Sequence, residues 1–468
     1  MKRSTKIALT GILVAIGLLV FFYSSIKPWL TIRQSQPNPT SSKIVQTSSN
    51  EDPYNITNTK FDENPTVFVE AVNMQIGSHN LARFTYSNAA DTAYSAGQPI
   101  ILQAGKPATI RVKNSSGMKT NIHWHGLTIP NDMDGAFDEL ANGSTKVYSF
   151  TPTETGTYWY HSHYRPVETQ VGNGMFGPLI VKSEADSRYD LDEILMLSDL
   201  TSSGGMMGSS NDASDMINGQ TGENSHSLQL SGGQIAQLRF INASADNTKN
   251  VNFPFSVRVT HQDGYALAKP YTTKNLTLYP GQRMDVEVVL ADTENQSYTI
   301  QDGNASIRLN YQANTKAAKK SPFVPAKGEN PAPALLGKVP DFTIALAGGM
   351  SGWTMNGKTF PDTAAMPVKI GQTVKVRFTN GSGMMSIDHP IHIHGAHFQI
   401  LAINGVSTND NTWYDTYPIK TGTTTDIAIA FSETGGVMSS GKVSSMGGGM
   451  SVTPAKNQSI TRNSQSES

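Results

Sequence analysis

Three short segments of this chain carry histidines two residues apart, and each has the composition of a strand. They are Asn121-Ile122-His123-Trp124-His125-Gly126, Tyr158-Trp159-Tyr160-His161-Ser162-His163 and the stretch from Asp388 to Gln399, where four of the eleven histidines (His389, His392, His394 and His397) fall within twelve residues. Side chains alternate along a strand, so each His-x-His pair presents two imidazoles on one face. Pro390 holds His389 extended and out of any helix. Neutral imidazole is a favoured ligand for copper, zinc and nickel, but one pair cannot fill a coordination sphere. The three pairs therefore predict strands from distant parts of the chain that share a metal. Read as three separate polar sheet edges, the repetition would have no cause. His79, His226 and His261 are isolated and read as ordinary surface or capping residues.

The remaining sequence suits the same architecture. Gly, Thr, Asn, Ser and Pro punctuate short alternating apolar runs and helix signals are scarce, so the class is all-β, with sandwich or barrel domains. A length of 468 residues corresponds to about three such domains. The divisions fall at 62–184, 185–311 and 341–453. A crossing over 312–340 is long enough to wrap another domain, and a polar tail over 454–468 has nothing to bury. The segment from Leu276 to Leu290 reads as two strands about a Pro-Gly turn. A net charge of −1 and no basic block exclude a phosphate backbone as partner.

Lys2, Arg3 and Lys6 precede an apolar run from Ile7 to Tyr23. These 17 residues suit a single membrane span, so that 1–27 would form a cytoplasmic start and membrane anchor, with the body outside the cytoplasm. The rival is a cleaved signal peptide and a secreted protein, for which Tyr23-Ser24-Ser25 offers a poor cleavage site. Residues 28–61, rich in Ser, Thr, Asn, Gln and Pro, read as a flexible linker above the membrane. The chain contains no cysteine. Disulfides, thiolate ligands and a cysteine nucleophile are thereby excluded. Met206, Met207 and Met216 lie in a Gly/Ser/Asn loop, and Met438, Met446 and Met450 lie near the end. Thioethers suit Cu(I), and flexible loop residues with no metal role are the alternative.

Taken in order, Asn121-Ile-His-Trp-His-Gly-Leu127, Gly156-Thr-Tyr-Trp-Tyr-His-Ser-His163 and His389-Pro-Ile-His-Ile-His-Gly395 resemble the motifs of the multicopper oxidases, the laccase-like family of three cupredoxin domains. Softer agreement comes from Met216-Ile-Asn-Gly219, Asp263-Gly264, Pro280-Gly-Gln-Arg283 and Met355-Asn-Gly357. The resemblance implies three cupredoxin-like Greek-key β-sandwich domains. It also implies copper as cofactor, with O2 and a small reducing substrate as reactants. Carried over by motif, His123 and His392 would hold a type 2 copper, and His125, His161, His163 and His394 a type 3 pair. His389 would belong to the type 1 site. His397 matches a position that is not a ligand.

The family's fourth motif, His-Cys-His followed by a further His and a Met, is missing. Alignment on Phe431, Gly435, Met438 and Gly449-Met450 puts Ser440, Gly441 and Lys442 in its place, and Met446 at the later histidine. A type 1 copper needs a cysteine thiolate with two histidines, so the resemblance here implies six of eight cluster ligands and no complete type 1 site. A charged Lys442 would further oppose a cation. Two functions follow as expectations. One is a copper-binding protein of the cell surface whose oxidase turnover is impaired. The other is a non-enzymatic cupredoxin scaffold or binding protein of the cell envelope.

Overall fold

The structure, a computed structural model, describes residues 37, 44–45, 52–183, 186–200, 214–314, 320–327, 334–349, 352–358, 362–363, 366, 368, 371–381, 388–431, 436–440 and 448–452. The expected membrane span, Met206, Met207, Gly441, Lys442, Met446 and the tail lie outside these residues. Among the described residues, helix is limited to Val167–Gly172, a 3-10 turn at Asp186–Arg188 and the single 3-10 residue Ala334. No described helix is long and apolar enough to cross a membrane.

Two sheets face each other across the first core. In one, Thr66–Ile76 pairs with His79–Ser87 and, in parallel, with Ala108–Ser115, which in turn pairs with Thr145–Phe150. The other runs Ile100–Gln103, Phe176–Lys182, Gly156–His161, His123–His125. Alternation decides what each strand buries. Ala108, Ile110 and Val112 turn inward while Arg111 is exposed, and they meet Trp124, Tyr158 and Tyr160 from the opposite sheet in one apolar cluster. The aromatic residues that alternate with the histidines along these strands are thus core anchors. Trp124 and Tyr160 are fully buried, and burying such rings stabilises the fold by about 2–3 kcal/mol each.

The middle of the chain forms a ten-stranded sheet around a second core. Its two longest strands, Lys249–Gln262 and Tyr265–Leu278, pair antiparallel with register shifts between Asn252 and Val257 and between Val259 and His261. Such bulges bend a sheet. The expected turn stands at Tyr279 to Gln282, between Tyr265–Leu278 and Arg283–Val288. These two strands do not form a hairpin, because Arg283–Val288 pairs instead with Ala236–Asn242 and Lys249–Gln262. The third core lies between a six-stranded sheet containing Thr373–Asn380 and Thr424–Ala430 and a four-stranded one. The latter runs Thr416–Ile419, His389–His394, Gly436–Ser440, Gly448–Val452.

Four readings of the sequence are amended. The linker expected to be flexible is fixed at its end, where Tyr54 and Ile56 are buried and residues 54–56 bond to the strand Leu191–Leu200 through Ile194 N–H to Tyr54 O (2.9 Å) and Ile56 N–H to Asp192 O (2.8 Å). Two large apolar side chains supply the burial that the polar composition around them conceals. Met216 is no loop residue: it is fully buried with Val72, Met74 and Ile76. Met438 and Met450 stand opposite each other in paired strands. Of the isolated histidines, His79 is exposed, but His226 and His261 are largely buried beside carboxylates, Glu193 and Asp285 respectively.

The described parts of the crossing segment pack on the middle and third cores that it joins. Ser321 donates to Glu287 (2.6 Å), Phe323 packs on His261 and Arg258, and Leu335 joins Leu401 and Ala428 in a small cluster.

Candidate metal centre

The structure brings the three His-x-His pairs together. His123 stands directly opposite His161 in the antiparallel pair His123–His125 and Gly156–His161, so both project from the face that Trp124 and Tyr160 leave free. His392 and His394 share a face of the strand His389–His394, while Ile391 and Ile393 fill the third core from the other. His389 falls on the side of Ile391 and Ile393 by alternation and is buried apart from the six. His123, His125, His161, His392 and His394 are all at most 5 % exposed, and His163 is partly buried. The rings of His123 and His394 stack at 3.9 Å and those of His125 and His392 at 3.6 Å.

Hydrogen bonds fix which nitrogen each ring turns to its neighbours. A carbonyl can only accept, so contacts of His123 Nδ1 with Asp134 O (3.2 Å), His161 Nδ1 with Ser162 O (2.9 Å) and His392 Nδ1 with Asp415 O (2.9 Å) place the proton on Nδ1 in each ring. The Asp134 carboxylate does the same for His394 at 2.9 Å. Nε2 of these four rings therefore carries a lone pair. His125 is reversed: its Nε2 donates to Thr416 Oγ1 (3.2 Å), whose hydroxyl donates to Asp415 Oδ1 (2.8 Å), leaving the lone pair on Nδ1.

The consequence is a set of facing lone pairs. Nε2 of His123 stands 3.3 Å from Nε2 of His392, and Nδ1 of His125 stands 3.3 Å from Nε2 of His161. Neither pair has a proton to share in these tautomers. Two nitrogens about 2.0 Å from a common ion at a near-tetrahedral angle stand about 3.3 Å apart, so a cation relieves both repulsions. Nε2 of His163 and Nε2 of His394 are buried without a hydrogen-bond partner, and their rings lie 5.1 Å apart. Orphaned acceptors of this kind are costly unless something binds them. Burial pushes the imidazoles of His123, His392 and His394 below the ordinary histidine value and those of His125, His161 and His163 well below it. The rings are neutral at neutral pH, as metal binding requires. The residues present thus fit a metal cluster.

The support behind the rings was not legible beforehand. Asp415 is fully buried and held by Arg283 through Nη1–Oδ1 (2.8 Å) and Nη2–Oδ2 (2.6 Å). Burial alone would raise its carboxyl, but the Arg283 guanidinium holds it well below the usual carboxylate range. Gly281, with φ +87°, lies so close to His125 that a Cβ there would stand 3.1 Å from Cε1. The turn of the middle sheet therefore braces a site built by the first and third. Asp134 and Asp415 are single acids in loops, with no spacing signal. Arg283 sits in Pro280-Gly-Gln-Arg283, which the sequence marked without assigning a role. His397 accepts from or donates to Tyr265 Oη at 3.0 Å and stands beside the centre, 3.7 Å from Asp415.

Models of the multicopper oxidase family match residues 92–186, 189–322 and 336–450, in chain order and over most of the described protein. The chain belongs to the multicopper oxidase family. It is 26% identical over 398 residues to multicopper oxidase MmcO of Mycobacterium tuberculosis, covering 73% of this chain and 77% of that protein. The multicopper oxidase mco of Staphylococcus aureus is 26% identical over 366 residues, with the same coverages. Among solved structures, a multi-copper oxidase from Pediococcus acidilactici superposes with a TM-score of 0.72 at 19% identity, covering 90% of this chain and 96% of that one. The all-β cupredoxin architecture expected from the motifs is the architecture observed.

Membership of this family implies copper, and the donor set fits it. The strand that leads to the missing fourth motif lies against the histidine strand: Ser439 pairs with His392 and Ser440 with Ile391. Gly441 and Lys442, the other residues standing where His-Cys-His is expected, lie outside the described residues.

Proposed function

We propose that this multicopper-oxidase-family protein binds copper through His123, His125, His161, His163, His392 and His394, and that its oxidase turnover is impaired. The observation that carries the reading is the pair of facing lone-pair contacts at 3.3 Å in a chain without cysteine. Copper held there supplies the redox chemistry with O2 and a reducing substrate for which the family is named. This chain's part is to present neutral imidazoles and to exclude bulk water. His123 and His392 are assigned to one ion. The other four histidines are assigned to the remainder of a partial cluster. His389 is the surviving residue of a type 1 position that lacks its thiolate.

The basic start and the apolar run from Ile7 to Tyr23 support anchorage in the cell membrane, with the cupredoxin body outside the cytoplasm. The absence of cysteine equally supports a second reading, a copper-free cupredoxin scaffold of the cell envelope. One experiment separates them: copper stoichiometry with optical and EPR spectra of the full chain after loading with Cu(II). The expected result is stoichiometric copper without an intense blue type 1 band, and loss of the type 2 signal in His123→Ala or His392→Ala. A folded protein that takes up no copper would overturn the copper reading in favour of the scaffold.

A further inference from the structure

A second cluster of metal-ligating side chains lies on elements that contribute nothing to the histidine centre. His226 opens the strand His226–Ser231, Glu193 lies on Leu191–Leu200, and Asp52 belongs to the segment fixed against that strand. His226 Nε2 is 2.8 Å from Glu193 Oε1 and 3.4 Å from Asp52 Oδ2, and one donor atom from each residue falls within 4.8 Å of the others. Two donors about 2.0–2.1 Å from one ion stand about 2.9 Å apart at a right angle and about 3.4 Å apart at a tetrahedral one. Both separations from His226 fall close to these limits.

The Glu193 side chain is 1% exposed, and its second oxygen, Oε2, is buried with no hydrogen-bond partner. A buried carboxylate oxygen without a donor is an unfilled demand for a cation or a proton. Lys182 is committed to Asp192 (2.8 Å) and Ile56 O (3.1 Å). Asp52 is positioned in advance: its Oδ1 accepts from Tyr54 N–H (2.9 Å) and its carbonyl from Asn55 N–H (3.2 Å), while its side chain keeps 35% exposure. The site is therefore rigid on the protein side and open to solvent on one side.

We infer that Asp52, Glu193 and His226 form a mononuclear site for a divalent first-row transition ion, which clamps the segment around residues 52–56 onto the middle sheet. One imidazole and two carboxylates are a donor set suited to Zn2+ or Cu2+, with the exposed side left for water. The ion displaces the proton now shared between His226 and Glu193. The site stands independently of copper at the histidine centre.

Equilibrium dialysis of the full-length protein with Zn2+ tests it, read as equivalents bound per chain and as affinity. The expected result is one equivalent fewer in His226→Gln than in the parent, with that equivalent retained in His123→Ala and His392→Ala. Asp52→Asn, at a partly exposed position, keeps the fold and is expected to weaken the same equivalent at least tenfold. Its metal-free unfolding midpoint should not move. Unchanged stoichiometry in His226→Gln would overturn the site. So would an Asp52→Asn protein with parental zinc affinity and a lowered metal-free midpoint, which would make the cluster an ion pair alone.

Discussion

Replacing Asp134 by Asn isolates the contribution of the groups behind the histidines. Asp134 acts on two rings in different ways: its backbone oxygen accepts from His123 Nδ1 at 3.2 Å and its carboxylate Oδ2 from His394 Nδ1 at 2.9 Å. Its other carboxylate oxygen stands 3.2 Å from His123 Nδ1. The substitution leaves the backbone contact and the side-chain shape intact. Whichever way the new amide turns, its NH2 group faces an imidazole N–H, either that of His394 or that of His123. One charge-assisted hydrogen bond is lost, worth about 1.5–3 kcal/mol, and outer partners of metal-bound histidines typically contribute 10–100-fold to affinity, or about 1.4–2.7 kcal/mol. Cu(II) titration against a competing chelator, with circular dichroism to verify folding, is expected to show a fall in affinity of about that range. A folded Asp134→Asn protein with parental copper affinity would refute the assignment of Nδ1 as donor and Nε2 as ligand.

Four further substitutions probe the frame. Arg283→Met leaves the fully buried Asp415 carboxylate without its cation. It is expected to destabilise the protein by about 3–5 kcal/mol, read as a lower urea midpoint; an unchanged midpoint would show that Asp415 is neutral. Gly281→Ala adds a Cβ at 3.1 Å from His125 to a backbone penalty of about 1–2 kcal/mol, whereas Gly371→Ala, at φ +78° with open space, carries the backbone penalty alone. Copper uptake should therefore fall in the first and persist in the second. Asp302 sits with Asp199 and Asp215 around the single ammonium of Lys249. Burial first, and then its acidic neighbours, push its carboxyl up from 3.8 to about 6. The folded state thus binds the extra proton between about pH 4 and 6, and the stability this contributes is lost as pH rises through 6. Asp302→Asn should remove that decline and stabilise the protein at pH 8, by at most about 3 kcal/mol. A parallel pH profile in parent and variant would count against the shift.

What the sequence disclosed was set by periodicity. His-x-His on a strand is a statement about one face, and the same alternation assigns Trp124 and Tyr160 to the opposite face. The convergence of the three pairs followed from coordination number. Asp134, Asp415 and the reversed tautomer of His125 could not be read in this way, because each depends on which loop lies behind which ring. The packing of the segment 52–56 is hidden from the sequence for a related reason. Its polar composition gave no run of apolar residues, yet Tyr54 and Ile56 join an apolar cluster between the first and middle sheets, with Ile101, Trp159 and Ile180 on one side and Ile194 and Met196 on the other.

The middle sheet holds none of the six histidines, but it governs their chemistry. Arg239 and Arg283, both buried, reach from it to the strand that carries His161, bonding Thr157 Oγ1 and Thr157 O at 3.1 Å each. Arg283 also fixes Asp415, whose backbone orients His392 and whose carboxylate, through Thr416, orients His125. One guanidinium therefore sets the tautomers of two rings on strands 267 positions apart in the sequence. This framework is complete without any residue of the absent His-Cys-His motif. Loss of the cysteine removes the type 1 thiolate but leaves the lone pairs of His123 and His392 aimed at each other across 3.3 Å. On the proposed function, metal binding is therefore separable from turnover. The copper titration of Asp134→Asn measures the first without assuming the second.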